Sequence, residues 1–235
     1  MQANSHLDQL RTKLYQHNIS HFFIDADDTL WHDAKYFRTL ELKLLECCSL
    51  LNYSGVDICD ILDKEKKKVK LGELGFATAI LRTADLIHIQ GQDKENLSAH
   101  INDFLHHDLE LLPYCEKALE SLSMKYKLVL LTKGNTNEQQ AKLNRSGLNR
   151  YFSEVIVVKK KELDTFSKLL IDRHLLGAAT VSMGNSILHD IMPATNAGAI
   201  AIWIDHAYNH RGNNHLLPSD AYRIESWQAI LNLLH

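Results

Sequence analysis

The feature that most constrains this chain is the run Phe22-Phe23-Ile24-Asp25-Ala26-Asp27-Asp28-Thr29-Leu30-Trp31. Its apolar half, from His21 to Ile24, reads as a buried strand, and it gives way at once to the carboxylates of Asp25, Asp27 and Asp28. Acids at the C-terminal end of such a strand stand where open α/β sheets place their ligands. In extended chain Asp25 and Asp27 fall on one face, because side chains alternate with period two. Two like charges held that close favour a bound cation, or a raised pKa on one of them. A nucleophile and an acid/base around a metal would use that arrangement. The same residues also suit a plain strand end with an Asp-rich turn, in which Asp28 caps the next helix.

The rest of the chain supplies the layers such a strand needs. Leu7, Leu10, Leu14 and Tyr15 predict an N-terminal helix over 5–17. Beyond Pro113, helical patterns at 114–124, 136–146, 164–174 and 187–197 alternate with apolar runs at 127–132, 154–158, 180–183 and 199–204. Residues 221–224 add a possible last strand before a terminal helix at 225–234. Alternation of this kind predicts a parallel sheet covered on both faces, a Rossmann-like α/β core. Between 33 and 108 the character differs: apolar residues recur at three and four, among them Phe37, Leu40, Leu44, Ile58, Phe76, Ile80, Leu97 and Ile101. Gly55, Gly72, Gly75 and Gly91 stand near the ends of about four predicted helices. The expected domains are therefore an α/β core of 1–32 with 109–235, and an all-helical insertion of 33–108.

In a parallel sheet three more strand ends open on the same edge as Asp25. Thr132-Lys133-Gly134 offers a hydroxyl and backbone N–H groups ahead of a helix N-terminus, which suits an anion, although a tight strand-to-helix turn needs the same glycine. Lys159-Lys160-Lys161 offers a cation for a phosphoryl group or for Asp25; a lysine run is also a common solvated turn. Asn185 and Asp190 could complete an oxygen-rich Mg²⁺ site with Asp25, or could cap and balance the helix that follows.

Taken together and in this order, the four stretches resemble the haloacid dehalogenase-like hydrolase superfamily, and the resemblance runs from about His21 to Trp203. Asp25-x-Asp27-x-Thr29-Leu30 is its most specific part, and the helical insertion resembles that superfamily's cap. The resemblance implies Asp25 as a nucleophile that becomes an aspartyl-phosphate, and Asp27 as the acid and then the base. It implies Thr132, with Lys133 and Gly134, as the cradle of the phosphoryl group. It implies Lys161 as the charge-balancing lysine, on the stretch Lys161-x-x-x-Thr165-Phe166, with Lys160 as the alternative. Mg²⁺ would be held by the carboxylates of Asp25 and Asp190 and the carbonyl of Asp27. Asp28 stands where the superfamily often has Gly, a substitution that Asp's tolerance of unusual backbone angles accommodates. Asn185 stands where Asp is common, which removes one negative charge from beside the metal.

The implied activity is Mg²⁺-dependent hydrolysis of a small phosphomonoester, of the nucleotide or sugar phosphate class. The alternatives are transfer of the same phosphoryl group to a hydroxyl, as in a phosphotransferase or mutase, and a non-catalytic binding protein on the same fold. A net charge of −3 gives no general affinity for nucleic acid. No apolar run reaches the length of a membrane span, and the first twenty residues lack the apolar stretch of a signal peptide. Cys47, Cys48, Cys59 and Cys115 have no zinc-type or disulfide-framework spacing, so a reducing, cytoplasmic setting is expected. The resemblance implies a small phosphorylated metabolite as partner, and the sequence leaves monomer and homodimer both open. Lys64–Lys70 reads as a solvated helix face, and His206, His210 and His215 as part of an exposed loop. His106 and His107 fit either surface or substrate contact, and Trp31 either core or pocket lining.

Overall fold

Hydrophobic residues on both faces of one parallel sheet organise the larger part of the fold, seen in a computed structural model that describes residues 2–48, 54–70, 72–206 and 215–234. The elements run α1 (Gln2–Gln16), β1 (His21–Ile24), α2 (Ala34–Cys47), α3 (Gly55–Lys66), α4 (Glu73–Leu86), α5 (Gly91–His106), α6 (Cys115–Ser123) and β2 (Lys127–Lys133). They continue through α7 (Thr136–Ser146), β3 (Glu154–Val158), α8 (Leu163–Asp172), β4 (Thr180–Gly184), α9 (Met192–Asn196), β5 (Ile200–Ile204), β6 (Tyr222–Ile224) and α10 (Trp227–Leu234). All strand pairs are parallel, and the sheet order is β3-β2-β1-β4-β5-β6. The chain moves outward from β1 to β3 and then returns to build the other half from β4. The order therefore reverses between β1 and β4, the place where open α/β sheets bind ligands beyond their carboxyl ends.

Alternation along the strands divides the core into two layers. Phe22, Ile24, Leu128, Leu130, Val181 and Met183 face one side, where Leu10, Leu119, Leu122, Leu143, Trp227 and Ile230 of α1, α6, α7 and α10 cover them. Phe23, Val129, Leu131 and Ala201 face the other, against Phe166, Leu169 and Leu170 of α8 and Ala194 of α9. Both faces are apolar, as a sheet buried on both sides requires.

Residues 33–108 form a second compact unit, separate from that made by 1–32 and 109–235. Its four helices, α2 to α5, close around Leu40, Leu44, Ile58, Phe76, Ile80, Leu97, Ile101 and Phe104. Ser54 opens α3 with a reciprocal cap: its hydroxyl accepts the Asp57 N–H while the Asp57 carboxylate accepts the Ser54 N–H. In the lysine run, Lys66 reaches back to Glu41 of α2 at 2.6 Å, so one of these charges ties two helices of the unit together.

Two local differences from the sequence reading bear on the site. The segment after β4 is not one helix over 187–197. It begins with a π-helical turn, Ile187–Ile191, in which the Ile191 N–H reaches the Ser186 carbonyl, and only then becomes α9. Strand β1 ends at Ile24, and although the Asp25 N–H still bonds to β4, Asp27 lies in a turn that begins at Ala26 rather than in extended chain. Among the described residues no helix is long and apolar enough to cross a membrane.

Leu130 is fully buried in the second strand of this core, whereas Met124 on the loop before it is 76% exposed. Leu130→Ala is expected to lower unfolding free energy by about 2–5 kcal/mol in urea titration. Met124→Ala is expected to stay within about 0.5 kcal/mol of the parent.

Candidate active site

The loops that follow β1, β3 and β4 bring three charged side chains to one buried point. Asp25 follows the last residue of β1, and its N–H donates to the Met183 carbonyl of β4 at 2.9 Å, which extends the sheet at the switch point. Lys161 stands between β3 and α8 and is 3% exposed. Its ammonium donates to Asp25 Oδ1, and to Asp190 Oδ1 at 2.7 Å. Asp190, itself 3% exposed, comes from the π-helical turn, and the Ser186 N–H donates to its other oxygen at 2.9 Å. A Cβ at Gly184 would collide with the Asp190 side chain, so only glycine at the end of β4 lets that carboxylate lie against the strand. Lys160, one residue earlier, points outward and pairs with Glu162 at 3.2 Å.

Burial explains the electrostatics. Desolvation raises the Asp25 pKa, and the neighbouring Asp190 charge raises it further; Lys161 opposes both and does not cancel them. Burial also works against the charge on Lys161, yet the charges of Asp190 and Asp25 outweigh it and hold the lysine above its ordinary value. Of the like charges acting on Asp25, Asp190 has the larger effect and Asp27 the smaller. The chain turns at Ala26, whose carbonyl accepts the N–H groups of Thr29 and Leu30, and the two carboxylates acquire different hydrogen-bond partners while Asp27 still acts on Asp25.

Asp27 is served from the opposite layer of the sheet. Trp31 Nε1 donates to its Oδ1 at 2.9 Å and Lys142 Nζ donates to the same atom at 3.2 Å. Gln139 Nε2 donates to Oδ2 at 2.7 Å. Burial would raise the Asp27 pKa, but the Lys142 charge and these hydrogen bonds prevail and hold the carboxyl below its ordinary value. Trp31 is fully buried, so it packs in the core and also binds the acid with its indole N–H.

The turn itself is held tightly. Asp28 adopts φ of 54°, in the left-handed region where Asp is tolerated and Gly is common. The Thr29 hydroxyl donates to Asp25 Oδ2 at 3.1 Å, which fixes the carboxylate that Lys161 holds from the other side. Two indoles pin the loops: Trp227 Nε1 donates to the Thr29 carbonyl at 2.7 Å, and Trp203 Nε1 to the Asn185 carbonyl at 2.9 Å. His206 hydrogen-bonds through Nε2 to the Asp28 carbonyl at 2.6 Å, and its companion His210 lies outside the described residues.

Thr132 and Lys133 end β2, the strand paired with β1, and Gly134 follows it; all three lie outside the hydrogen-bonded cluster of Asp25, Lys161 and Asp190. Thr132 is buried and Lys133 exposed, while Gly134, at φ 155°, packs against the Gln139 side chain so closely that a Cβ would sit 3.2 Å from its Nε2. Asn135 caps α7 by accepting the N–H groups of Asn137 and Glu138. Gln139 and Lys142 are functional candidates that the sequence reading missed. They occupy the inward i, i+3 stripe of α7 ahead of Leu143, and Leu143 is the one large apolar residue in this polar helix that hints which of its faces is buried.

A family model described as haloacid dehalogenase-like hydrolase matches residues 31–204. The chain belongs to that family of hydrolases. The matched span opens directly after the turn bearing Asp25 and Asp27, so the position of those two acids comes from the geometry described above. Pyrimidine 5'-nucleotidase PynA of Streptococcus pneumoniae (strain ATCC BAA-255 / R6) is 29% identical over 182 residues, which cover 73% of each protein. A haloacid dehalogenase-like family hydrolase from Xanthomonas campestris aligns over 92% of this chain and 96% of its own, with a TM-score of 0.73 at 22% identity. The putative hydrolase YfnB of Bacillus subtilis, solved bound to magnesium, aligns over 93% of this chain and 99% of its own, with a TM-score of 0.61 at 17% identity. These two structural likenesses concern the fold.

Among the described residues no group of three or more His, Cys, Asp or Glu side chains is arranged to hold a metal ion. The donors that do converge, the carboxylates of Asp25 and Asp190, are hard oxygen ligands already gathered around one cationic nitrogen. That set suits Mg²⁺, which is usually held by one or two carboxylates together with water and substrate oxygens.

Removing the shared cation would leave two buried carboxylates facing each other. In the presence of a chelator, Lys161→Met is expected to lose about 3–5 kcal/mol of stability in urea unfolding. The exposed Lys160→Met is expected to stay within about 0.5 kcal/mol of the parent. Equal effects from the two would contradict the assignment of the buried lysine.

Proposed function

We propose that this hydrolase cleaves a small phosphomonoester through a covalent phosphoryl intermediate on Asp25. The observation that carries the reading is the buried cluster at the switch point, in which one lysine holds Asp25 and Asp190 together. A carboxylate attacks a phosphate anion only where the negative charges are neutralised; Lys161 supplies one positive charge to the cluster, and a divalent cation at the same carboxylates would supply the rest. An Asp25 oxygen forms a bond to phosphorus as the bond from phosphorus to the leaving oxygen breaks. A proton that arrives with the substrate, on a phosphoryl oxygen or taken up by Asp27 as that anion enters, passes through Asp27 to the leaving oxygen. Asp27 then takes a proton from water, whose oxygen displaces Asp25 from phosphorus and releases inorganic phosphate. Thr29 orients the Asp25 carboxylate and Lys161 balances its charge. Thr132, Lys133 and Gly134 would cradle the phosphoryl oxygens at the end of β2.

Mg²⁺ would be held by the carboxylates of Asp25 and Asp190 and the carbonyl of Asp27, and when bound it would supply charge neutralisation at the phosphoryl oxygens. Asp27, held by three donors, supports phosphoryl chemistry over dehalogenation, which has no leaving oxygen to protonate. The similarity to PynA, named as a pyrimidine 5'-nucleotidase, favours a nucleoside monophosphate over a sugar phosphate as substrate.

The test is a panel of nucleoside monophosphates, sugar phosphates and an aryl phosphate, assayed for phosphate release with Mg²⁺ and with a chelator. Release that requires Mg²⁺ and falls by more than about 10³-fold in Asp25→Asn is expected. Folded protein that releases no phosphate from any member, or an Asp25→Asn variant with undiminished turnover, would contradict the reading.

A further inference from the structure

Lys142 raises a question that the chemistry above does not answer. It is a lysine 2% exposed, on a helix whose other inward residues are Gln139 and Leu143. Burying an ammonium costs several kcal/mol unless it is paired, and a methionine would fill the same volume without that cost. Lys142 is directed to Asp27, and Gln139, one helical turn earlier on the same face, is directed there too. With the Trp31 indole they make three donors on one carboxylate, drawn from α7 and from the turn after β1. Asp27 is thus gripped from a helix that otherwise has no part in the cluster around Asp25. Gly134 lets Gln139 come close enough to join this grip.

We propose that Lys142, seconded by Gln139, is a positioning residue for Asp27: it aims the carboxyl group that exchanges a proton with the leaving oxygen and then with water. The active site then divides its cations by task. Lys161 serves the carboxylate that forms the covalent bond, and Lys142 serves the carboxyl that moves the proton. Misplacing Asp27 has a signature that general damage does not have. A poor leaving group, such as the alkoxide of an alkyl phosphate, needs the proton as the bond breaks. A good one, such as p-nitrophenolate, leaves without it. Because kcat/KM covers only the steps up to departure of the leaving group, it isolates this first role of Asp27.

The inference rests on the phosphatase reading of Asp27, and the experiment separates the two. Wild type, Lys142→Met, Lys142→Arg and Gln139→Leu are compared on an alkyl phosphate and on p-nitrophenyl phosphate. In Lys142→Met, kcat/KM for the alkyl ester is expected to fall by about 10–100-fold more than for the aryl ester. Lys142→Arg, which keeps the charge, should recover most of the difference, and Gln139→Leu should show a smaller loss in the same direction. Equal falls on both substrates, or a relative gain on the alkyl ester, would overturn the role of Lys142 while leaving the phosphatase reading intact. Absence of Asp25-dependent turnover in wild type would instead overturn that reading. A crystal structure of Lys142→Met, or of Gln139→Leu should the first variant not fold, tests the placement without any assay. The Asp27 carboxylate is expected to have left Trp31 Nε1, and an unmoved carboxylate would overturn the proposal.

Discussion

One ammonium group shared by two buried carboxylates is the interaction on which this fold's site depends. Lys161, Asp25 and Asp190 each give up water to meet, and each would be costly to bury alone. Their meeting requires β1 and β4 to be neighbours at the reversal of strand order, so that the loops after them and after β3 open together. It also requires the π-helical turn, whose extra residue widens the backbone, and a residue without Cβ at Gly184. The apolar layers on both faces of the sheet supply the rigidity that keeps three charges in register.

Asp25 and Asp27 stand two residues apart, yet the protein surrounds them differently. The first is held by Lys161 and Thr29, the second by Trp31, Gln139 and Lys142. The effect on protonation is opposite: the first carboxyl is raised by burial and by Asp190, and the second is lowered against its own burial by Lys142. A nucleophile must be ionised and an acid protonated, so these directions are the reverse of what the proposed roles need until a cation and a phosphoryl group enter and shift both. The two acids are served from different elements: the loop after β3 and the π-helical turn hold Asp25 and its neighbour Asp190, and α7 holds Asp27.

Much of this was legible in the chain. The alternation of apolar runs and helical patterns after Pro113 announces a parallel sheet, and the change to a three-and-four period over 33–108 announces a helical insertion. Asp25 stands out because it directly follows an apolar run and Asp27 because it stands two residues on, whereas Asp190 lies six residues beyond the strand that ends at Gly184 and is singled out by the resemblance. What was not legible depends on backbone geometry that periodicity does not encode. The turn at Ala26 decides which partners each of Asp25 and Asp27 meets, and a π-helical turn has the same residue spacing on paper as an ordinary one. The choice between Lys160 and Lys161 depends on which side chain turns inward. In the structure Lys160 is 73% exposed and Lys161 3%, and only Lys161 meets Asp25. Gln139 and Lys142 escaped notice because a polar helix such as α7 looks solvated until its inward stripe is known.

The central claim is that the Asp25 carboxylate, held in this cluster, takes the phosphoryl group from substrate. The most direct measurement is peptide mass spectrometry of protein quenched in acid during turnover of a phosphomonoester. The account predicts the added mass of one phosphoryl group on the peptide that contains Asp25, absent from Asp25→Asn. A protein that turns over substrate while carrying no such adduct, or carrying it on another residue, would contradict it.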